Sequence, residues 1–172
     1  NGVVVHGIPN EKPYELKEGD TIGIDISIGY EGMIVDSART LPVGLVSPDI
    51  QKLLRVTQEA LAVGIKAAKA GGHIGDIGHA IETFVRPHGY GIIEELCGHG
   101  VGYAVHEEPM VPNTGAKGTG MTLEPGLVLA IEPMLTLGSP KVVFDTKDGY
   151  TVRTKDGSPS AHFEHTIVIT EN

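Results

Sequence analysis

Five side chains spread along this sequence, Asp25, Asp36, His99, Glu132 and Glu164, have the types and settings of a metal centre. Asp25 lies in the alternating run Thr21-Ile22-Gly23-Ile24-Asp25-Ile26-Ser27-Ile28, and Glu132 in Leu127-Val128-Leu129-Ala130-Ile131-Glu132-Pro133-Met134. An acid in so apolar a strand either faces solvent or coordinates something, because a buried, unpaired carboxylate is prohibitively costly. Four carboxylates and one imidazole form a hard, mostly oxygen donor set suited to Mn, Fe, Co or Zn. They exceed what one catalytic ion normally uses, so two divalent ions sharing carboxylates fit better. Such a pair lowers the pKa of a bridging water towards ~7 and polarises a carbonyl, which is the equipment of metal-assisted hydrolysis. A solvated strand position is the ordinary explanation for any one Asp or Glu. It is hard to hold for all five together.

Three histidines have informative settings. His99 sits in Cys97-Gly98-His99-Gly100-Val101-Gly102, where glycines let the backbone close around the ring, and His106 follows in Val105-His106-Glu107-Glu108-Pro109. His6, in Val5-His6-Gly7-Ile8-Pro9, occupies a strand end where a substrate-facing residue belongs. His73, His79, His88 and His162 lack such context and are read as surface or loop residues. His165 follows Glu164 directly, so on a strand it faces the opposite way. Cys97 beside His99 has no orienting acid and no oxyanion-hole motif, which favours a packed small residue over a nucleophile. The glycine-rich stretch 115–120 lacks the Lys-Ser/Thr ending of a phosphate loop and reads as a plain loop.

The elements that must position these groups are legible from periodicity. Strands are predicted over 3–6, 21–30 and 32–42, the last two joined at a tight Glu31-Gly32 turn. A helix follows, capped by Ser47 with Pro48 in its first turn, and runs to Ala70 before Gly71-Gly72. Its apolar face is Ile50, Leu53, Leu54, Thr57, Ala60 and Leu61. A second helix is predicted with Asp76 as cap and Ile77, Ala80, Ile81, Phe84 and Val85 as its buried stripe, ended by Pro87 and Gly89. Further strands are expected over 92–96, 127–135, 142–144, 150–154 and 163–169. A faint repeat links the halves: Leu16-Lys17-Glu18-Gly19 precedes Asp25 and Leu123-Glu124-Pro125-Gly126 precedes Glu132, each acid six residues after its glycine. A later strand then adds a second acid, Asp36 or Glu164, so two related halves would each offer a pair.

At 172 residues the chain is expected to form one domain, 1–172, with its own core. A net charge of -9 argues against a nucleic-acid partner. One cysteine rules out an internal disulfide and fits a reducing compartment. No apolar run approaches the roughly 20 residues of a membrane span, so a soluble, cytoplasmic protein is expected. The chain starts Asn1-Gly2-Val3 and enters a strand at once, which suggests a missing upstream portion and weak activity for this stretch alone.

Taken together, His6-Gly7-Ile8-Pro9, the Asp25/Asp36 pair, Gly98-His99-Gly100, His106-Glu107-Glu108-Pro109, Ile131-Glu132-Pro133-Met134 and Phe163-Glu164-His165-Thr166 resemble the type I methionine aminopeptidases. The similarity runs over essentially the whole chain. It implies an α+β pita-bread fold: a curved antiparallel sheet of two pseudo-symmetric halves, helices on its outer face, and a dinuclear metal site in the hollow. It also implies a monomer that removes initiator methionine from nascent polypeptides with a small second residue, at the ribosome. Carried over by position, Asp36 and Glu164 would bridge two ions, Asp25 would chelate the second, and His99 and Glu132 would complete the first. Glu132 would also accept a proton from the nucleophilic water. His106 and His6 would contact the substrate near the scissile bond, and Val105 and Tyr150 are the remaining candidates for its side-chain pocket. Asn1, Val3 and Ser160 match positions that hold a monovalent cation in some members. Three alternatives stand beside this: a peptidase resembling aminopeptidase P or prolidase, a non-catalytic pita-bread binding protein, and an inactive fragment. An arginine shortly before the last glutamate would favour the first of these, and His162-Phe163-Glu164 stands there instead.

Overall fold

Alternation of polar and apolar residues builds the longest element, a hairpin whose two faces have opposite characters. In the computed structural model, which describes residues 1–8 and 13–171, it consists of β2 (Thr21–Tyr30) and β3 (Met33–Pro42). Glu31 and Gly32 turn it with positive φ of 49° and 82°. The register pairs Asp25 with Ala38 and Ser27 with Asp36, so both aspartates stand diagonally on one face. The other face carries Ile24, Ile26, Ile28 and Val35, which are 42–55% exposed. An apolar stripe of this kind is a surface for association.

The described residues hold ten further strands around this hairpin: β1 (Val3–Val5), β4 (Gly91–Ile92), β5 (Gly98–Gly100), β6 (Glu107–Val111), β7 (Val128–Ile131), β8 (Met134–Thr136), β9 (Val142–Phe144), β10 (Val152–Thr154), β11 (Ser160–His162) and β12 (His165–Val168). They form antiparallel sheets in the orders β12-β7-β5-β6, β11-β8-β4 and β1-β10-β9. Helices α1 (Pro48–Ala67) and α2 (Ile74–Val85) share one core with these strands, in which Leu53, Ile77, Ile81, Leu129, Ile131 and Leu135 are fully buried. The architecture is α+β, as predicted. Pro9 of the His6 motif lies outside the described residues.

Both helices start by the expected chemistry, with shifted ends. Ser47 accepts the Ile50 N–H at 3.3 Å, and every predicted core-facing residue of α1 is buried. The helix stops three residues early, where Ala68 leaves helical geometry with ψ 84° and its N–H forks onto the Gly64 and Ile65 carbonyls. Asp76 is not the cap of α2 but its third residue. It accepts the His73 N–H at 2.8 Å and the Gly118 N–H at 2.8 Å, so the helix begins at Ile74.

The larger corrections fall on the strands. Predicted strand 127–135 is two strands, β7 and β8, broken at Glu132-Pro133, where proline has no N–H to continue the ladder. Its partner breaks opposite, between β11 and β12, at Phe163-Glu164. Each pair changes sheet at the break, and the break is where the acids stand. The Cys97–Gly102 region, where no strand is predicted, has β5 at its centre, buried between β6 and β7. The glycines are required there, since a Cβ on Gly98 would meet the Ala130 oxygen at 2.2 Å and one on Gly100 the Glu108 oxygen at 2.2 Å. Gly100→Ala is therefore expected to destabilise the protein by about 1–3 kcal/mol through overpacking, read as a lower urea midpoint. An unchanged midpoint would mean that β5 and β6 are not packed this closely.

The sequence repeat reappears in the backbone. Gly19 and Gly126 share a φ of 94°. Gly19 donates to Val43 and Gly126 to Ile169, each at 2.9 Å, and the return bonds are Val43 to Asp20 and Ile169 to Leu127.

Candidate metal centre

Breaks in the β7–β8 and β11–β12 pairs turn Glu132 and Glu164 inward, and β5 places His99 against them. Glu132 is 8% exposed, Glu164 2% and His99 9%. His99 Nε2 lies 3.6 Å from Glu132 Oε1 and 4.0 Å from Glu164 Oε1. Asp36 joins from β3, with its own ligand atom within 4.8 Å of those of His99 and Glu164. A second trio of the same kind is Glu132, His162 and Glu164.

These side chains are held from behind. Ser27 Oγ and the Ser37 N–H both donate to Asp36 Oδ1, each at 3.1 Å. Thr166 clasps the Asp36 backbone, accepting its N–H and donating to its carbonyl, both at 2.8 Å. Glu164 is tied to β3 through its N–H to the Ala38 carbonyl at 2.9 Å, and its own carbonyl accepts Ser37 Oγ at 2.9 Å. Asn113 Nδ2 donates to the Glu132 carbonyl at 3.1 Å.

The His99 tautomer decides what fits between these groups. Nδ1 lies 2.9 Å from the Gly100 carbonyl, an acceptor, so the proton sits on Nδ1 and Nε2 carries a lone pair. That lone pair faces two carboxylate oxygens. Electron pairs so directed repel one another unless a proton or a metal cation lies among them, and an imidazole with carboxylates is a fitting donor set for a first-row divalent ion. The protonation behaviour tells the same story. Burial first, then Asp25 and Asp36, push the Glu132 carboxyl well above its usual range. Burial, then Glu132, Asp36 and Asp25, push Glu164 up to about 9. Burial lowers His99, and lowers His162 to about 4. At neutral pH Glu164 therefore keeps its proton unless positive charge is added nearby.

Four of the five expected ligands are thus brought together. Asp25 stands at the solvent-exposed rim, on the Asp36 face of the hairpin but outside both trios, with its carboxyl raised chiefly by burial. Of the other expected residues, His106 and His6 stand near the cluster. The His106 ring packs edge-on to His99 at 4.4 Å between centroids. His6 takes a left-handed φ of 60° at the end of β1 and lies 5.1 Å from the Tyr150 ring. Burial lowers the His6 pKa, and Asp25, His106 and His162 are among the charges it feels. Val105 is half-buried just before His106, and Tyr150 is exposed. Away from the cluster, the Ser160 hydroxyl lies 3.3 Å from the Asn1 carbonyl and 3.2 Å from that of Val3. Burial, then Glu132, raises the Cys97 thiol, which disfavours the thiolate form.

The sequence matches metallopeptidase family M24 over residues 1–171. The chain belongs to that family. Within M24 its similarity runs to the methionine aminopeptidases. It is 48% identical to methionine aminopeptidase 1 of Bacillus subtilis, over 99% of this chain and 68% of the relative. It is 45% identical to methionine aminopeptidase B of Synechocystis, over 99% of this chain and 62% of the relative. The crystal structure of the Thermotoga maritima methionine aminopeptidase superposes with a TM-score of 0.95 at 46% identity, covering all of this chain and 68% of that one. The prolidase of Pyrococcus furiosus is more distant, with a TM-score of 0.72 at 25% identity, covering 91% of this chain and 40% of that one. The chain therefore has the pita-bread fold and spans about two thirds of the length of the methionine aminopeptidases it matches.

One member of the buried cluster was misplaced by sequence reasoning. His162, read as a surface or loop residue, is 4% exposed and points at the acids. It lies two residues before Glu164, where the period of a strand puts it on the same face. Starting the predicted strand at Phe163 left that signal unused. Thr166 and Asn113 carried no comparable signal, because their role depends on contacts with distant segments.

Proposed function

We propose that the protein carrying this chain is a dinuclear metallo-aminopeptidase that removes N-terminal methionine from polypeptides whose second residue is small. Asp25, Asp36, His99, Glu132 and Glu164 hold the two divalent ions, drawn from Mn, Fe, Co or Zn. The observation that carries this reading is the His99 Nε2 lone pair facing buried Glu132 and Glu164 oxygens at 3.6 and 4.0 Å. When bound, such ions act as Lewis acids on the scissile carbonyl and lower the pKa of a water towards ~7. Glu132 would be the acceptor of that water's proton. Its carboxylate stands inside the cluster, 8% exposed, where that proton would be released. His106 and His6 flank the hollow and hydrogen-bond the substrate carbonyl as charge develops on it. Val105 and Tyr150 border the methionine side chain. The Asn1 and Val3 carbonyls with Ser160 are the candidate ligands of a monovalent cation.

The partner is the N-terminus of a nascent chain, met in the cytoplasm at the ribosome by a monomeric enzyme. Among the described residues no helix is long and apolar enough to cross a membrane. The expected result is release of methionine from Met-Ala-Ser by the full-length protein with Mn²⁺ or Co²⁺, abolished by chelator and restored by the ion. Metal-replete protein that cleaved beside proline and released no N-terminal methionine would overturn the assignment.

A further inference from the structure

His162 is a buried imidazole with no place in the ligand set above. Its backbone is fixed from both sides by Thr40, whose Oγ accepts the His162 N–H at 2.9 Å and donates to its carbonyl at 3.0 Å. Pairing with Met134 across β11 and β8 fixes it further, so the ring enters the cluster from a rigid base. His162 Nε2 lies 3.1 Å from Glu132 Oε2 and 4.0 Å from Glu164 Oε2. His99 faces the opposite oxygens, Oε1 of each acid. The two carboxylates are therefore sandwiched between two imidazoles, one on each side.

Nε2 of His162 is fully buried and makes no hydrogen bond. A buried ring nitrogen left so is costly, and an ionised Glu132 oxygen with no side-chain donor is poorly stabilised in this largely buried site. Each group is what the other lacks. Their 3.1 Å separation is already that of a hydrogen bond, and a small turn about the last side-chain bond of either group would align it.

Resting on the metal-site reading above, we propose that His162 is a positioning residue that donates its Nε2–H to Glu132 Oε2, turning Oε1 towards His99. Ligating carboxylates need such outer donors to fix their orientation, and their loss typically weakens metal binding 10–100-fold. The bond becomes charge-assisted once Glu132 is ionised. His162 stays outside the ligand set and acts through Glu132.

Glutamine reaches about as far as histidine and keeps a side-chain N–H, whereas leucine fills the space without one. Mn²⁺ titration of metal-stripped full-length protein by calorimetry, with urea unfolding as a check on the fold, separates the two. H162L should weaken Mn²⁺ binding about 10–100-fold and lower kcat with KM little changed. H162Q should stay within about threefold of the parent in both. Should H162L fail to fold, H162N takes its place, since its shorter amide cannot reach Glu132. Equal losses in H162Q and the donor-less variant would mean the imidazole itself binds the ion, and unaltered affinity in the latter would mean no role; either overturns the inference. A parent protein that bound no Mn²⁺ would instead sink the metal-site reading.

Discussion

Metal-stripped Glu164→Gln protein is expected to unfold at a higher urea concentration than its parent at pH 7, while its Mn²⁺-supported activity falls at least about 100-fold. The two effects have one cause. Glu164 is 2% exposed, and burial together with Glu132, Asp36 and Asp25 raises its carboxyl to about 9. Its value in the unfolded chain is near the ordinary 4.5. At pH 7 the unfolded chain has therefore released this proton and the folded one has kept it. That difference opposes folding by on the order of 3 kcal/mol. Glutamine has almost the same shape and no proton to lose, so the opposition disappears. Activity moves the other way because a neutral amide is a poor ligand for a hard divalent ion. Even the outer partners of ligands are worth 10–100-fold, and a ligand itself is worth more.

This pattern separates a functional acid from a structural one. A buried carboxylate kept for stability would lose stability when replaced, because its hydrogen-bonded partners would be left unsatisfied. Here the backbone of Glu164 makes the structural bonds, to Ala38 and Ser37, and these survive the substitution. A Glu164→Gln protein less stable than its parent at pH 7, or one fully active, would contradict the assignment.

Residues that report their role through local pattern were readable in the sequence. Alternation in β2 and β3 gave the hairpin and set Asp25 and Asp36 on one face, and Ser47 marked the start of α1. The phasing of Gly19 with Asp25 and of Gly126 with Glu132 corresponds to matching backbone turns. What escaped depends on where strands stop. A run as apolar as 127–135 looks continuous, yet Pro133 cannot donate to a ladder, and the chain changes sheet there. The glycines around His99 read as room for the backbone to close around its ring, with no strand predicted there. In fact they admit the oxygens of Ala130 and Glu108 to a buried strand, a demand set by other segments. His162 was misplaced by one boundary residue, which moved it from the inward face of a strand into an assumed loop. Position along a strand carries the chemistry, and strand ends are the least legible part of a sequence.

Divalent cation should change the pH dependence of stability as well as its size. Metal-free protein is expected to become less stable from pH 6.5 to about 8.5, by up to ~1.4 kcal/mol per pH unit for each proton involved. Glu164 has its folded value raised from 4.5 to about 9, so its contribution is whole below 4.5 and is lost as pH climbs towards 9. Glu132, raised chiefly by burial, acts in the same direction. His162 has the opposite sign: its folded value is lowered from 6.5 to about 4, so its contribution is whole above 6.5 and is lost only as pH falls towards 4. Above pH 6.5 the acids therefore set the slope. Cation binding requires them ionised and must expel their protons. Mn²⁺ affinity should rise about tenfold per pH unit for each proton displaced, and saturating Mn²⁺ should remove the alkaline loss of stability. Urea midpoints across this range, with chelator and with Mn²⁺, measure the first effect. Calorimetry in two buffers of different ionisation enthalpy counts the protons. A metal-free midpoint that rose with pH, or an Mn²⁺ affinity that did not, would show that the carboxyls are already ionised before any cation binds and that their crowding is relieved in some other way.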